Sequence, residues 1–340
     1  MKIFSGSDNE PQLRIKAIKS LICIVKTRRL QDHAVELLWV KVQDLVKSSA
    51  DVEGHIESWE LIEAIIQGQY DQLDIMRAQF FRLVKQPEEL LRLRMRILDC
   101  LTQRGRDILH FEEEIGPVMQ TLWPLIMQEQ DSAETLKIYL QIIINLLTYN
   151  SAYIDADVIC SFIVAASKIC VNGRASEDIS LCLTTLDSII CYNNIPKEGL
   201  FAFVCLLCRV VNFEDHCTEA WRIARNLFGT HLGHSALYCL CQVLQAPDFK
   251  KDIALIRGAV FYVGMSLWGS QRVKSLDSYS AMTIMPTFIN ALDCGHQLVL
   301  YEILLQTERL VNKHSNKMKA PGCDAVVTML EKLLQLLGKE

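Results

Sequence analysis

The sequence has few residues that interrupt regular structure and no excess of basic residues. Proline and glycine number 8 and 15 among 340 residues, and no stretch rich in proline, glycine and serine divides the chain into halves. The formal net charge of −5 argues against a dedicated nucleic-acid-binding protein, because contact with phosphate requires a basic surface. Intrinsic disorder is excluded, since 50% of the residues are hydrophobic and the mean hydropathy is +0.17.

Signals for secretion and membrane insertion are also missing. The N-terminal residues, MKIFSGSDNEPQ, contain no apolar core of a secretory signal, and the chain has no Asn-x-Ser/Thr glycosylation site. One long uncharged stretch, residues 138–154, includes Gln141, Asn145 and Asn150, whereas a membrane span needs about 20 predominantly apolar residues. The 13 cysteines lie mostly in apolar segments, which is typical of reduced core residues. These features predict a cytoplasmic protein without a membrane span.

The pattern that is present along the chain is helical. From residue 11 onwards, apolar residues recur at spacings of three, four and seven, as in Val35, Leu38 and Val42. The alternation of apolar and polar residues that is typical of strands is not sustained anywhere. The sequence therefore predicts an all-α protein, in which Trp39 and Trp268 are core anchors on helical stripes.

Helix breaks recur about every 20 residues, which predicts helix pairs with a pitch of about 40 residues, the range of HEAT and armadillo units. Pairs of this size cannot bury their apolar faces alone and stack into a solenoid. We therefore expect a disordered leader over residues 1–10 and a single HEAT/armadillo-like α-solenoid over residues 11–340. The pattern over residues 326–337 is amphipathic without a polar cap, so the chain is predicted to be a fragment of a longer protein.

Several glycines have predicted structural roles. Gly68 and Gly105 follow apolar helical patterns and are expected to end helices. Gly258 and Gly264 lie within an apolar helical run rather than after a strand, so they are expected to permit close approach between helices and not to cradle phosphate.

The cysteines and histidines offer two candidate metal patterns. Cys205-x-x-Cys208 is followed by His216, Cys217 and the pair Cys239-x-Cys241, but apolar residues surround the first pair, which predicts a buried helix. His231-x-x-His234 has no glutamate between its histidines and no evident third ligand, which favours a tight turn into a helix. A Gly-x-Ser-x-Gly nucleophile elbow is also missing. We therefore predict no catalytic residue, no cofactor-binding residue and no metal ligand.

Longer motifs carry a more specific resemblance. The sequence resembles the tuberin family in its N-terminal α-solenoid region, over roughly residues 11 to 338. The strongest stretches are RNLFGTHLGHSA, residues 225–236, and RGAVFYVGMSLWG, residues 257–269. Shorter stretches that support the resemblance are residues 32–39, 66–69, 111–114, 186–193 and 301–303.

The resemblance implies a scaffold role. In that family the N-terminal solenoid holds hamartin, largely through hamartin's coiled coil. A separate C-terminal domain accelerates GTP hydrolysis by the small GTPase Rheb with an asparagine thumb, and so restrains TOR signalling. No position of this sequence corresponds to the thumb. The resemblance thus implies a cytoplasmic, non-catalytic segment, present at lysosomal membranes only through its complex.

A solenoid can bind a partner helix in an apolar groove with charged rims. The residues expected to contact the partner are His231, His234, Arg257 and Trp268, because the polar residues at these two helix junctions exceed what packing requires. Two alternatives remain open from the sequence. One is an unrelated HEAT-type adaptor or transport scaffold, and the other is an enzyme with a Cys/His metal site.

Overall fold

The chain folds into α-helices, as its periodicity predicts. A computed structural model describes residues 11–31, 33–47, 52–85, 90–128, 132–171, 176–192, 195–269, 273, 276, 281–314 and 320–337. Within these ranges there are sixteen α-helices and no strand, which confirms the predicted all-α class. The predicted leader, residues 1–10, lies outside the described residues. The helices are α1 Pro11–Thr27, α2 Ala34–Lys47, α3 Val52–Gln69, α4 Met76–Val84, α5 Leu91–Thr102, α6 Glu112–Gln128, α7 Ser132–Tyr149, α8 Ala156–Val171, α9 Ser176–Cys191, α10 Lys197–Val210, α11 Cys217–Gly229, α12 Gly233–Gln245, α13 Ile253–Leu267, α14 Ala281–Ala291, α15 Gln297–His314 and α16 Ala320–Leu337.

The contacts within the chain divide it into two compact units, an N-terminal unit of residues 1–158 and a C-terminal unit of residues 159–340. The boundary falls within the residues of α8. The expectation of one continuous solenoid over residues 11–340 stays a prediction. Within the described ranges, every helix falls short of the length and apolar character that a bilayer span requires.

The N-terminal unit consists of stacked helix pairs. Helices α1, α3, α5 and α7 pack against one another in succession, while α2, α4 and α6 pack against α3, α5 and α7 respectively. Each inner helix is therefore covered by its neighbours in the row and by the helix paired with it. This arrangement buries stripes that no single pair could bury, and it confirms the stacked pairs expected from the sequence.

The contact between α1 and α3 shows how a glycine and a glutamine fix this stack. A Cβ atom on Gly68 would lie 2.3 Å from the Val25 carbonyl oxygen, so only glycine allows this approach. The adjacent Gln69 donates through Nε2 to the carbonyls of Val25 and Arg28, both at 2.8 Å, and its Oε1 accepts from the Leu30 N–H. Gly68 thus lies inside the last turn of α3 rather than after it, where the sequence had placed a helix stop. Gly105 does follow α5, with a φ of +73°.

The C-terminal unit contains two rows of helices. In one row α13 packs between α10 and α15, and in the other α14 packs between α12 and α16. Helix α13 also contacts α12, so it is covered on several sides, as its almost uninterrupted apolar sequence requires. A Cβ atom on Gly258 would lie 1.9 Å from the Cys208 carbonyl oxygen, and one on Gly264 would lie 2.0 Å from Gln306 Oε1. Both glycines therefore permit the close helix approach that was predicted.

The two tryptophans that were predicted as core anchors differ in burial. Trp268 is 2% exposed, and its Nε1 donates to the Gln306 carbonyl oxygen at 2.9 Å. Trp39 is half-buried and presents an edge-to-face contact to Phe80, with ring centroids 5.4 Å apart. The prediction is confirmed for Trp268, whereas Trp39 covers the edge of the core instead of filling it.

Candidate functional site

The four cysteines of the candidate metal pattern lie on two helices of the C-terminal unit. Cys205 and Cys208 belong to α10, and Cys239 and Cys241 to α12, and all four are free thiols. Burial raises the pKa of Cys205 to about 12 and that of Cys241 to about 11, and it raises the pKa of Cys208 well above its usual value. A thiol with such a pKa is protonated at neutral pH and is a poor nucleophile and a poor metal ligand.

The other members of that pattern are engaged elsewhere. His216 is 5% exposed, and its Nε2 lies 3.0 Å from Ser176 Oγ at the start of α9. Cys217 Sγ donates to the Glu214 carbonyl oxygen at 3.3 Å. Over the described part of the chain, no group of three or more His, Cys, Asp and Glu side chains could hold a metal ion.

The His231–His234 segment forms a tight turn between α11 and α12. Thr230 Oγ1 donates to the Leu227 carbonyl at 2.7 Å and accepts from the Leu232 N–H at 3.2 Å. Helix α12 begins at Gly233, where a Cβ atom would lie 2.2 Å from the Phe228 carbonyl oxygen. This confirms the predicted turn into a helix, and both histidines are exposed on it.

A groove with a volume of about 480 Å³ opens beside Arg257 in the C-terminal unit. We call it the Arg257 groove. Helices α11, α13 and α15 and the turn between α10 and α11 form its walls. Its lining residues are Val211, Asn212, Glu214, Cys217, Thr218, Trp221, Arg257, Phe261, Glu302, Leu305 and Arg309.

Aromatic and aliphatic side chains form the middle of the Arg257 groove. Trp221, Phe261 and Leu305, from three different helices, are each half-buried. The rings of Trp221 and Phe261 meet edge to face with centroids 6.1 Å apart, and Trp221 also stacks on Tyr262. These contacts fix the orientation of large apolar surfaces that remain partly open to solvent.

The carboxylate of Glu302 in the groove has its partners within the same chain. Glu302 is 7% exposed, its Oε1 accepts from Gln306 Nε2 at 2.7 Å, and its Oε2 lies 3.6 Å from Arg257 Nε. The Arg257 side chain is 37% exposed. Because Glu302 faces the Nε edge of the guanidinium, it orients a partly exposed arginine at the groove wall.

The comparisons with known proteins agree with this fold. A family model described as a domain of unknown function, DUF3384, matches residues 11–335. The chain belongs to this family. The Tuberous sclerosis 2 protein homolog of the fission yeast Schizosaccharomyces pombe is 22% identical over 268 residues, which cover 73% of this chain and 20% of the relative. A solved structure described as that of the TSC2 N-terminus matches with a TM-score of 0.70 at 17% identity, covering 96% of both chains.

The comparisons confirm the resemblance to the N-terminal region of tuberin and the helical fold. The DUF3384 match extends over nearly the whole length of the chain. The chain spans about one fifth of the length of the curated relative that it matches.

The structure separates the four residues that were expected to contact a partner. In this DUF3384 chain, Arg257 lines the groove, whereas His231, His234 and Trp268 do not. Trp268 is buried at the end of α13, so a partner could touch its ring only if the core repacked. Whether these residues contact a partner stays a prediction.

Sequence reasoning missed the other groove residues. Trp221, Glu302 and Arg309 lie on helices that are distant from Arg257 in sequence, and only tertiary packing brings them together. One signal was available on α15, where Glu302, Leu305 and Arg309 recur at helical spacing and share one face. That face alone could not identify its neighbours.

A second groove, of about 450 Å³, lies in the N-terminal unit between α4, α5 and α6. Arg94 lines it but is 5% exposed, and its Nε donates to the Val84 carbonyl oxygen at 2.8 Å. Lys85 on its rim forms an ion pair with Glu114. Its charged groups are thus largely engaged within the chain, and the Arg257 groove is the better candidate site.

Proposed function

We propose that this chain is a non-catalytic scaffold segment that holds hamartin by binding its coiled coil. The observation that carries the proposal is the Arg257 groove, an aromatic-lined groove between helices in a DUF3384 chain similar to the TSC2 N-terminus. Protein interfaces depend on a few anchors, among which tryptophan, tyrosine and arginine are enriched. A groove lined by helices is a common receptor for the apolar face of an amphipathic helix.

The proposal extends to the assembly that the family resemblance implies. In that assembly a separate C-terminal domain stimulates GTP hydrolysis by Rheb and restrains TOR signalling, while this segment positions hamartin. The segment itself is cytoplasmic and reaches lysosomal membranes through the complex. The exposed His231, on the turn between α11 and α12, and His234, in the first turn of α12, provide a second contact region.

A binding assay with purified components tests the proposal. The chain should form a stable complex with hamartin's coiled coil at micromolar concentrations, measured by size-exclusion chromatography and calorimetry. Apolar anchors should supply most of the affinity, so added salt should slow association and leave most of the affinity intact. Phe261→Ala should weaken binding at least about tenfold, as expected for an interface anchor.

Two control variants test whether the loss of binding is specific to the groove. Lys168→Glu changes an exposed side chain on α8 that does not line the groove, so it should bind like the wild type. His234→Ala should reduce affinity less than Phe261→Ala if the groove is the main site. A folded wild-type chain that shows no complex at micromolar concentrations would refute the proposed role of this segment.

A further inference from the structure

The Arg257 groove has a direction, because two of its helices run side by side with the same polarity. Near the start of α13, Arg257 faces Glu302 on α15, and two turns later Met265 faces Arg309, whose Nη1 lies 3.6 Å from the methionine sulfur. The groove therefore has one end at Arg257 and another at Arg309. Eight residues of α13 separate the two ends, which corresponds to about 12 Å.

The end at Arg257 carries a net negative charge. Asn212 Nδ2 donates to the Ala254 carbonyl at 2.8 Å, which places the C-terminal end of α10 beside the start of α13. Glu214 follows two residues later, is exposed and lines the groove. Arg257 and Glu302 offset each other's charge at this end. Glu214 remains, and no cation among the described residues lies within ion-pairing distance of its carboxylate.

The end at Arg309 carries the opposite charge. The Arg309 side chain is exposed, and among the described residues no carboxylate lies within ion-pairing distance of its guanidinium. Between the two ends lie the apolar surfaces of Trp221, Phe261 and Leu305. The groove is thus apolar in its middle, negative at one end and positive at the other.

We propose that the Arg257 groove binds one amphipathic helix that lies along α13, with a basic side chain at Glu214 and an acidic side chain at Arg309. Since the ends are about 12 Å apart, the two charges of the bound helix should be about seven residues apart on one face, flanking apolar residues. The inference rests on the proposed scaffold role and adds the charge pattern and the location of the helix.

Three synthetic helical peptides test this pattern. They share one apolar stripe and have blocked termini, and they differ only at two positions seven residues apart, which carry Lys and Glu, Lys and Lys, or Glu and Glu. Fluorescence anisotropy at low salt should show that the wild-type chain binds the Lys/Glu peptide about fivefold more tightly than the other two. The preference should largely disappear at about 0.5 M NaCl, where screening shortens the range of exposed charges.

Charge reversals in the chain should then redirect the preference. Arg309→Glu makes both ends negative and should favour the Lys/Lys peptide, whereas Glu214→Lys makes both ends positive and should favour the Glu/Glu peptide. Both positions are exposed, and circular dichroism checks that each variant keeps the fold. Lys168→Glu changes the net charge by the same amount and sign as Arg309→Glu but lies outside the groove, so it should keep the wild-type preference.

Each outcome bears on one proposal or the other. Equal affinity for the three peptides, a preference that survives both reversals, or no binding by any peptide overturns the inference about the groove. If hamartin's coiled coil still binds the Arg309→Glu and Glu214→Lys variants with unchanged affinity, the scaffold role stands and this groove is not its site. If the peptides switch as expected and hamartin does not bind, the groove is correct and the partner assignment is wrong.

Discussion

Single glycines determine how closely the helices of the C-terminal unit approach. At Gly258 the hypothetical Cβ atom would lie 1.9 Å from a backbone oxygen on α10, and a backbone cannot move aside as a flexible side chain can. Gly229, the last residue of α11, provides the contrast, because nothing lies within 4 Å of its hypothetical Cβ. The same residue type is therefore required at one position and replaceable at the other.

These two glycines give a matched prediction. Gly258→Ala should lower the free energy of unfolding by about 2–3 kcal/mol or more, since α13 must move away from α10. Gly229→Ala should be neutral or stabilising by up to about 1 kcal/mol, because alanine restricts the unfolded chain. Urea denaturation of both variants measures the difference. Similar midpoints for the two variants would contradict the packing described here.

The position of a helix along the chain could be predicted from the sequence, whereas the helix that packs against it could not. Spacings of three and four identify a helix such as α2, whose buried residues Val35, Leu38 and Val42 form the predicted stripe. Burial on a stripe does not reveal which helix covers it, so the half-exposure of Trp39 and the contact between Arg257 and Glu302 were beyond sequence reasoning. Both depend on the choice of packing partner, which is a property of the assembled stack.

Alanine substitutions of the two tryptophans test how much their difference in burial contributes to stability. Trp268→Ala should cost on the order of 3–5 kcal/mol, through lost burial, a cavity and the loss of the hydrogen bond to Gln306. Trp39→Ala should cost less, roughly 1–2 kcal/mol, because that ring is only half-buried. Trp268→Phe keeps an aromatic ring and should recover part of the loss.

Hydrogen exchange should show which helices lose protection after the Trp268→Ala substitution. In a stack of nearest neighbours, the loss of protection after Trp268→Ala should be greatest in α13 and α15 and should decline in helices that do not contact them. Equal costs for the two tryptophan substitutions, or unchanged protection of α15, would show that Trp268 does not join these helices.

At the scale of the whole molecule, the chain offers surfaces and shows no assembled reaction centre among its described residues. Burial raises the pKa of the Cys205 and Cys208 thiols, and His216 is engaged with Ser176. The chain also spans about one fifth of the length of the curated relative that it matches.

We expect that the purified chain does not stimulate GTP hydrolysis by Rheb, as the proposed non-catalytic role requires. A catalytic side chain accelerates this reaction only when it is docked against the nucleotide, and such groups give about a thousandfold or more. A single-turnover assay with Rheb loaded with GTP should show a rate within a few-fold of the intrinsic rate. Acceleration of a hundredfold would contradict the proposed non-catalytic role of this segment.

The position of α13 has a consequence for the synthesis of the chain. Its contacts with α10 and α12 can form as soon as it leaves the ribosome, but the face that packs on α15 waits for residues 297–314. Until α15 has been synthesised, Gly264 and Trp268 lack their contacts with Gln306. The apolar face of α13 is then exposed to other nascent chains and to chaperones. A polypeptide released between α13 and α15 should therefore aggregate, although every helix that it contains is complete.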